Sequence, residues 1–468
     1  MLFSSITFLF TFLPIILVLY YLVPKNFKNL LLLLGSLIFY AWGEPVYIIL
    51  MLLSIIFNYL CGIDIYRKRR NRRAAKFSFI FTIVVNIFIL VFFKYESFFL
   101  DSLNSLLPFH ISYRKLDLPI GISFYTFQIL SYIIDVYWGN VEVQTNFINF
   151  SLYVTMFPQL IAGPIVQYSD IEKQLNNRHH SWNKFGDGVS FFIRGLSKKV
   201  LIANTIGAIF VHITNIDIKQ LSVLSSWLGC AAYTLQIYFD FSGYSEMAIG
   251  LGKMFGFDFP INFNYPYISK SITEFWRRWH ISLSSWFRDY VYIPLGGNRV
   301  SIPRHICNLL IVWFLTGLWH GASWNFIIWG LYYGILLIVE KYLLYPILDK
   351  MPNILKHTCT IILVMIGWVF FFSPTLSSAL SYLKAMFGIR SHAFIDKQSL
   401  YFLFTNIFLW IVAILASTPV IQQYYDNTIS RRVNGKIVIN CIAYIVLFFL
   451  CIAFLVTETY NPFLYFRF

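Results

Sequence analysis

Apolar stretches follow one another along almost the whole chain, from residues 3–23 to residues 436–456. A helix satisfies its own backbone hydrogen bonds, and about 20 apolar residues cross the hydrocarbon core of a bilayer. Apolar residues make up 58% of the 468 residues and charged residues 12%, which leaves too little polar surface to cover such a core in water. The sequence therefore predicts an all-α polytopic membrane protein.

Several of the apolar stretches are shorter than a full crossing requires, so some of them are expected to be re-entrant or broken helices. We predict on the order of 11–13 membrane helices or segments, in one integral-membrane domain over residues 1–468. The polar stretches 166–188 and 252–305 are too short to form a soluble domain of their own. No basic residue precedes the apolar first 23 residues and no small-residue cleavage site follows them, which is typical of a retained span.

Positive charge is concentrated between the apolar stretches, as at residues 198–199, and it gives the chain a net charge of +15. Cytoplasmic loops of membrane proteins carry an excess of Lys and Arg. This rule places residues 67–76 in the cytoplasm together with Lys25 and Lys28. It places both termini outside, because the basic residues 431–436 precede the last apolar stretch. No soluble basic domain accompanies the charge, so nucleic-acid binding is not expected.

Motifs of several enzyme and metal-protein classes are absent from the sequence. The six cysteines are scattered without a Cys-x-x-Cys pair, and no set of histidines has the spacing of a metal site. No Gly-rich phosphate loop and no Gly-x-Ser-x-Gly motif occurs. We expect no metal and no disulfide, and we expect His179 and His180, which follow Arg178 in a polar stretch, to be only solvated.

A Trp- and Arg-rich stretch follows Ser271, which is separated from Glu274 by the spacing of a helix capping box. As one continuous helix, residues 271–290 place Trp276 and His280 on the same face. Such a helix suits the membrane–water interface. It is either an anchor that lies flat among the headgroups or the wall of a functional site that contains His280.

His320 lies between two apolar stretches and is flanked by Gly317 and Gly321. Ionisable side chains at membrane depth are costly, and they usually face a cavity or a partner. The glycines permit a ligand or another backbone to approach closely. The pattern predicts either a functional histidine or a buried histidine that is satisfied by a backbone carbonyl.

A polar stripe runs along one further apolar stretch, where Gln236, Asp240 and Tyr244 recur every four residues. A carboxylate in such a span faces either an aqueous tunnel or a buried partner. A functional role for Asp240 and a purely structural hydrogen-bond network both agree with the sequence.

At these residues the sequence resembles the membrane-bound O-acyltransferases, and within that family the bacterial alginate O-acetylation membrane proteins. The similarity spans essentially the whole chain. Its ordered motifs are Phe-Pro-Gln-Leu-Ile-Ala-Gly-Pro at 157–164, Tyr-Phe-Asp-Phe-Ser-Gly-Tyr-Ser at 238–245, Glu-Phe-Trp-Arg-Arg-Trp-His-Ile-Ser-Leu-Ser at 274–284, Tyr-Ile-Pro-Leu-Gly-Gly-Asn-Arg at 292–299, Thr-Gly-Leu-Trp-His-Gly-Ala at 316–322 and Asn-Pro-Phe-Leu-Tyr-Phe-Arg-Phe at 461–468.

The resemblance implies a fold and an activity. It implies a ring of helices around a tunnel, with interfacial amphipathic helices, in the bacterial inner membrane. It assigns His320 as the catalytic histidine and His280 as a second histidine, and we predict that both face one tunnel. The implied donor is acetyl-CoA, which approaches from the cytoplasm. The implied partners are membrane lipids and an extracytoplasmic SGNH-hydrolase-like acetyltransferase that modifies a polysaccharide.

The implied chemistry agrees with the residue types. A neutral imidazole such as that of His320 accepts the proton of an attacking hydroxyl, while His280 would orient the thioester or stabilise the oxyanion. Arginines at 277, 278 and 299 either hold the phosphates of the donor or anchor the protein at the interface. The candidate substrate-binding residues are Asp240, Trp276, Arg277, Trp319 and Asn325.

The polymer and one alternative function stay open at this point. Alginate, peptidoglycan and cellulose all agree with the resemblance. A proton-coupled transporter or flippase of a lipid-linked or polymeric substrate would instead use His320 and Asp240 as a proton relay. The sequence has no internal repeat, a feature that many such transporters carry.

Overall fold

The structure is a computed structural model that describes residues 1–161, 163–389, 391, 393–424, 436–458, 461 and 464. Helices joined by turns and short loops make up this described part of the chain, and no β-strand occurs in it. The all-α prediction is confirmed. The basic pair at 431–432, residue 162 of the first family-like motif and most of the motif at 461–468 lie outside the described residues.

The α-helices of the described residues range from one turn to more than thirty residues. In chain order they are α1 (Leu13–Leu22), α2 (Lys28–Gly43), α3 (Ile48–Arg67), α4 (Arg72–Asn104), α5 (Ile122–Trp138), α6 (Phe147–Thr155), α7 (Phe157–Leu160), α8 (Tyr168–Asn176), α9 (Trp182–Ser197), α10 (Thr205–Thr214), α11 (Val223–Met254), α12 (Ile272–Arg278), α13 (Ile281–Phe287), α14 (Ile302–His320), α15 (Trp324–Val339), α16 (Tyr345–Lys350), α17 (Asn353–Phe372), α18 (Leu376–Met386), α19 (Lys397–Thr405), α20 (Ile407–Ala416), α21 (Val420–Tyr424) and α22 (Lys436–Thr457). Segments of π-helix adjoin them at Phe8–Phe12, Lys198–Asn204, Arg288–Tyr292 and Glu340–Leu344.

Seven helices of the described residues are long and apolar enough to cross a membrane, or eight if the bent pair of α19 and α20 forms one span. The chain is therefore a multi-pass membrane protein. The number is below the predicted 11–13 segments because some apolar stretches form shorter helices, such as Phe8–Leu22 and the 16-residue α2. The ring of helices around a tunnel stays a prediction.

The chain forms two compact units, and the first consists of residues 1–192 and 245–260. Part of its core is aromatic, since the rings of Phe3, Phe8 and Phe157 pack with centroids 5.0 to 6.4 Å apart. Reciprocal hydrogen bonds between the buried amides of Asn58 and Asn86, at 3.0 and 2.7 Å, join α3 to α4. Such polar pairs hold helices together where lipid offers no hydrogen-bonding partner.

The second unit consists of residues 193–244 and 261–468, and it contains the candidate site residues. Its core is built from large aromatic side chains. The ring of Trp368 on α17 packs against Trp279 at 4.9 Å and against Trp329 at 6.2 Å. Phe275 and Trp276 of α12 are buried in the same core. This burial favours a helix that packs into the protein core over one that only anchors the surface, and its position relative to the headgroups stays a prediction.

Candidate active site

His320 ends the first helix of a tightly packed hairpin. Three residues connect α14 to α15, and glycines let the two helices approach closely. A Cβ atom added at Gly317 would collide with the Phe326 carbonyl oxygen, and one at Gly330 would collide with a backbone oxygen of α14. At Gly321 it would collide with the Phe326 ring. The sequence left open whether these glycines make room for a ligand or for another part of the protein. In the structure they make room for protein atoms.

Aromatic rings surround the imidazole of His320. The residue is 2% exposed, and its ring centroid lies 4.8 Å from Trp329 and 5.3 Å from Phe371. Both rings meet the imidazole edge to face, at interplanar angles of 82° and 76°. The packing holds the imidazole in place and keeps water away from it, as a site that handles a hydrolysable group requires.

The predicted continuous helix over residues 271–290 is wrong. Helix α12 ends at Arg278 and α13 begins at Ile281, and His280 between them has a φ of 44° in the left-handed region. A side chain in this conformation costs roughly 1–2 kcal/mol. A neighbouring loop holds the break, because the backbone carbonyl of Asn262 accepts a hydrogen bond from the Ile281 N–H at 2.9 Å.

Asn262 also determines which nitrogen of His280 carries the proton. Its side-chain oxygen accepts hydrogen bonds from the Ser282 backbone N–H at 3.2 Å and from the Ser282 hydroxyl at 2.9 Å. Since a backbone N–H can only donate, the accepting atom is the oxygen, and the His280 Nδ1 that lies 3.1 Å from it must donate. His280 lies outside the candidate spans, and burial lowers its pKa to about 3. The neutral ring therefore has its lone pair on Nε2.

Trp319 contacts both histidines. Its ring centroid lies 5.9 Å from that of His280 and 4.9 Å from that of His320. The two imidazole centroids are therefore no farther apart than the sum of these distances, 10.8 Å. The structure thus brings together two histidines that are 40 residues apart in the sequence, with a third candidate residue between them.

A cavity of about 840 Å³ extends along one face of α14. The residues of α14 that line it are His305, Leu309, Val312, Trp313 and Thr316. His320 lies one helical turn beyond Thr316 on the same face, and Thr316 is the last residue of α14 that lines the cavity. Neither histidine of the pair is among the described residues that line it.

Packed aromatic side chains connect the cavity wall to His320. Trp276 of α12 lines the cavity, and its ring packs against Trp313 at 4.6 Å and against Trp329 at 5.6 Å. Trp329 in turn contacts the imidazole of His320 at 4.8 Å. The predicted substrate-binding residue Trp276 thus lies between the cavity and the histidine.

Carboxylates and a hydroxyl orient α12 at its first turn. The Ser271 hydroxyl accepts a hydrogen bond from the Glu274 N–H at 3.0 Å, which confirms the predicted cap. The Glu274 carboxylate reaches back to the Lys270 N–H at 2.9 Å. Glu340, from the π-helical segment after α15, accepts from the first two N–H groups of α12 at 2.6 and 3.1 Å. These bonds fix the helix that carries Trp276.

The three arginines that were expected to hold phosphates have different surroundings. Arg277 is exposed at the cavity, and no carboxylate of the described residues pairs with it. Arg278 donates to the Glu274 carboxylate at 2.9 Å and to the Asn264 carbonyl at 3.1 Å. Arg299 is not among the described residues that line the cavity. Arg277 is therefore the arginine of this set that is placed to meet a ligand.

Comparison with known proteins identifies the family. The sequence profile of the membrane-bound O-acyltransferase (MBOAT) family matches residues 141–381. The chain is 40% identical to the probable alginate O-acetylase AlgI of Pseudomonas putida, with 100% of both chains covered. The chain belongs to the membrane-bound O-acyltransferase family. It is also 47% identical to the probable alginate O-acetylase AlgI of Pseudomonas aeruginosa, over 83% of this chain and 75% of that protein. It is 38% identical to the peptidoglycan O-acetyltransferase of Helicobacter pylori, over 83% of this chain and 80% of that protein.

Membership of the membrane-bound O-acyltransferase family makes the chain an enzyme that transfers acyl groups. It decides against the transporter or flippase that the sequence alone left open.

In this membrane-bound O-acyltransferase, Asp240 has a buried partner. Its Oδ1 lies 2.6 Å from the Lys199 Nζ, and the side chains of the two residues are 1% and 2% exposed. Its Oδ2 accepts a hydrogen bond from the Leu464 backbone N–H at 2.8 Å. Lys199 lies in the candidate span Trp182–Thr214, so its assignment to a cytoplasmic loop is wrong. Asp240 is not among the described residues that line the α14 cavity.

Asn325 makes a contact between helices, whereas His305 lines the cavity. The Asn325 amide donates to the Ser373 carbonyl at 2.6 Å and thereby ties the start of α15 to the end of α17. His305 was missed by the sequence analysis. It is buried at the cavity, between the hydroxyl of Tyr292 at 2.8 Å and that of Tyr342 at 2.7 Å. Its position fifteen residues before His320, on the same helical face, is the sequence feature by which it could have been identified.

Proposed function

We propose that this acyltransferase takes an acetyl group from acetyl-CoA on the cytoplasmic side and delivers it across the inner membrane for O-acetylation of an extracytoplasmic polysaccharide. The observation that carries the proposal is the α14 cavity, whose lining runs along that helix from His305 to Thr316, one helical turn before His320. The relatives named as an alginate O-acetylase and a peptidoglycan O-acetyltransferase support acetyl as the acyl group and a polysaccharide as the final acceptor.

Charge at the helix ends supports a cytoplasmic opening of the cavity. Helices α14, α15 and α17 alternate in direction, so Arg304, Lys341 and Lys356 lie at the same end of this group. The opposite connections, residues 321–323 and 373–375, contain no Lys or Arg. The positive-inside rule places the basic end in the cytoplasm. It also places both termini outside, as the sequence predicts.

The size and lining of the cavity suit a coenzyme A thioester. Ligand pockets range from roughly 300 to 1,000 Å³, and this one has about 840 Å³. Lys270, Arg277 and Lys341 line it and would bind the phosphates of the donor. The apolar side chains of Leu309 and Val312 continue along α14, where the acyl-bearing arm of the donor would extend.

The histidine pair supplies the acid–base chemistry. The oxygen of an acceptor hydroxyl attacks the thioester carbonyl carbon, so a C–O bond forms and the C–S bond breaks. His320 takes the hydroxyl proton and passes it to the leaving thiolate. The lone pair on the Nε2 of His280 accepts a hydrogen bond from an amide N–H in the arm of the donor and so orients the thioester. Stabilising the oxyanion would need a proton on Nε2, which the tautomer set by Asn262 does not provide.

The first acceptor is a hydroxyl that reaches the site from the extracytoplasmic side. We propose that it belongs to an SGNH-hydrolase-like acetyltransferase partner, or to a carrier that this partner deacylates, and that the partner completes the transfer to the polymer. The partner is needed because the described part of the chain contains no large extracytoplasmic domain that could bind a polysaccharide.

The proposal is tested with the purified chain in sealed vesicles of known orientation. Radiolabelled acetyl-CoA is added on the side of the basic loops, and the partner and the polymer are added on the other side. Labelled ester on the polymer, dependent on both proteins, supports the proposal. Label that never leaves acetyl-CoA, or label transferred equally from either side, contradicts it.

A pair of arginine variants tests the donor site separately. Arg277→Gln removes a cation that lines the cavity, whereas Arg299→Gln removes one that does not line it. A charged hydrogen bond contributes about 1.5–3 kcal/mol, so Arg277→Gln is expected to raise the KM for acetyl-CoA about tenfold or more. Equal effects of the two substitutions would place the donor elsewhere.

A further inference from the structure

A second polar pocket, separate from the active site, lies within the first unit. Its volume is about 230 Å³. The residues that line it are Lys25, Asn26, Lys28, Asn29, Asn146, Asn149, Leu175, Asn176, Arg178 and His180. Nine of these ten residues are polar or cationic, and none of them is Asp or Glu. The family-like motifs do not include this pocket, and the acyl-transfer chemistry makes no use of it.

Three cations meet at the pocket without a counter-ion. Among the described residues, no carboxylate lies within ion-pair distance of Lys25, Lys28 or Arg178. The Lys25 ammonium donates to the Asn177 side chain at 2.9 Å, and the Lys28 ammonium lies 4.6 Å from the centre of the Tyr20 ring. Cations held together in this way repel one another unless an anion joins them.

The Arg178 guanidinium is held in a fixed orientation. Its Nε donates to the Tyr20 hydroxyl at 3.3 Å and its Nη1 donates to the Gln174 carbonyl at 3.4 Å, while no described residue accepts from its Nη2. The guanidinium also lies 4.3 Å from the centre of the Phe257 ring. A planar group preorganised at a pocket wall binds phosphate oxygens with little further loss of entropy.

The His180 ring is hydrogen-bonded to Tyr20 at the pocket, so the expectation that it is only solvated is wrong. The Tyr20 hydroxyl donates a hydrogen bond to the Phe255 carbonyl oxygen at 2.8 Å. The His180 Nε2 lies 2.8 Å from the same hydroxyl oxygen, and because the only proton of that hydroxyl is already used, His180 must be the donor. Burial, together with Lys28, Arg178 and Lys184, lowers the pKa of His180 to about 4. Burial is the largest cause of this lowered pKa, and the nearby cations add to it.

The surroundings of the pocket place it at the level of lipid headgroups. Exposed apolar side chains flank it in sequence: Tyr21 and Leu22 end α1, Phe27 lies between the two pocket lysines, and Trp182 begins α9 with 89% of its surface exposed. Exposed Trp and Tyr residues beside Lys and Arg are typical of the membrane–water boundary. The lysines belong to the predicted cytoplasmic side, where anionic lipids are enriched.

We propose that this pocket binds the phosphate of an anionic phospholipid headgroup from the cytoplasmic leaflet. The fixed guanidinium of Arg178 and the ammonium of Lys28 pair with the phosphate oxygens, and the side-chain amide of Asn26 contacts the headgroup. The acyl chains of the lipid run along the exposed apolar surface of Leu22 and Phe27. The bound lipid neutralises the charge that the protein leaves uncompensated.

Native mass spectrometry of the full chain, titrated with phosphatidylglycerol, phosphatidylcholine or inorganic phosphate, tests the proposal. One phosphatidylglycerol is expected to bind more tightly than phosphatidylcholine by about 25-fold, since two cations pair with the phosphate and each cation near an anionic lipid adds about a factor of five. Arg178→Gln and Lys28→Gln each weaken that preference. Lys173→Gln, which removes an exposed cation that does not line the pocket, leaves it unchanged.

A further variant keeps the test independent of folding defects. Asn26 is exposed and makes no hydrogen bond with another described residue, so Asn26→Asp supplies an internal carboxylate without breaking a contact. It is expected to abolish the phosphatidylglycerol preference while the thermal stability is kept. Inorganic phosphate that binds as tightly as phosphatidylglycerol would assign the pocket to a soluble phosphate. A preference that survives in all three pocket variants would overturn the site.

Discussion

The buried ion pair of Lys199 and Asp240 allows a structural role to be separated from a role in substrate binding. We consider two single substitutions and their combination. Asp240→Asn removes the carboxylate that lies 2.6 Å from the buried Lys199 ammonium, and Lys199→Met removes that ammonium from the carboxylate, which still accepts from the Leu464 N–H. The double variant removes both charges but retains an amide oxygen that accepts from Leu464.

The expected magnitude follows from burial. Removing one partner of a buried ion pair costs about 3–5 kcal/mol, whereas replacing both charges is often close to neutral. The Lys199 and Asp240 side chains are 2% and 1% exposed, so water cannot solvate the residue that remains. Each single variant is therefore expected to lose about 3–5 kcal/mol of unfolding free energy. The double variant is expected to be more stable than either single variant.

An exposed ion pair of the same length is the matched control. Lys68 and Asp64 lie 2.7 Å apart, against 2.6 Å for the buried pair, but their side chains are 43% and 45% exposed. Such a surface pair contributes about 0–1 kcal/mol, so Lys68→Met is expected to change stability little. Unfolding is followed in detergent micelles, and acetyl transfer by each variant is measured in vesicles at a temperature where all variants are folded.

Two results would refute the structural role. One is an Asp240→Asn variant that unfolds like the wild type but no longer transfers acetyl groups. The other is a double variant that regains stability without regaining transfer. Either result would return Asp240 to the substrate-binding residues, where the sequence had placed it.

Three further predictions concern catalysis, topology and pH. His320→Ala is expected to lower transfer by at least about 10²-fold with stability retained. Adding His280→Ala should cost little more, because residues that act in one transfer step are non-additive. Multiplied effects would show independent sites. If residues 67–76 are cytoplasmic, a cysteine introduced by Arg70→Cys should not react with an impermeant thiol reagent in intact cells and should react in opened cells. Position 70 is preferable to position 71 because the Asn71 side chain caps α4 by accepting a hydrogen bond from the Ala74 N–H at 3.2 Å. The pKa of His180 is about 4 in the folded protein against a usual 6.5. The stability contributed by its neutral form is therefore present above pH 6.5 and is lost as the pH falls toward 4. The thermal stability of the wild type should decrease over that pH range, and that of His180→Gln should decrease less.

The sequence by itself determined the features that depend on neighbouring residues. The length and apolar character of the stretches established a membrane protein made of helices, because lipid offers no partner to a backbone that is not hydrogen-bonded internally. The cap at Ser271 followed from a spacing of three residues and is present in the structure. The motifs around His280 and His320 identified the family and both histidines before any distance was known.

Only the tertiary structure decided where these histidines lie relative to one another. The helix break at His280 is held by Asn262, which lies eighteen residues earlier, and the ring that contacts both imidazoles is that of Trp319. The partner of Asp240 is a lysine that the charge pattern had assigned to a loop. Helical periodicity describes contacts within one or two turns. It carries no information on which faces of distant helices meet, since that choice is made by the packing of large aromatic side chains in the core.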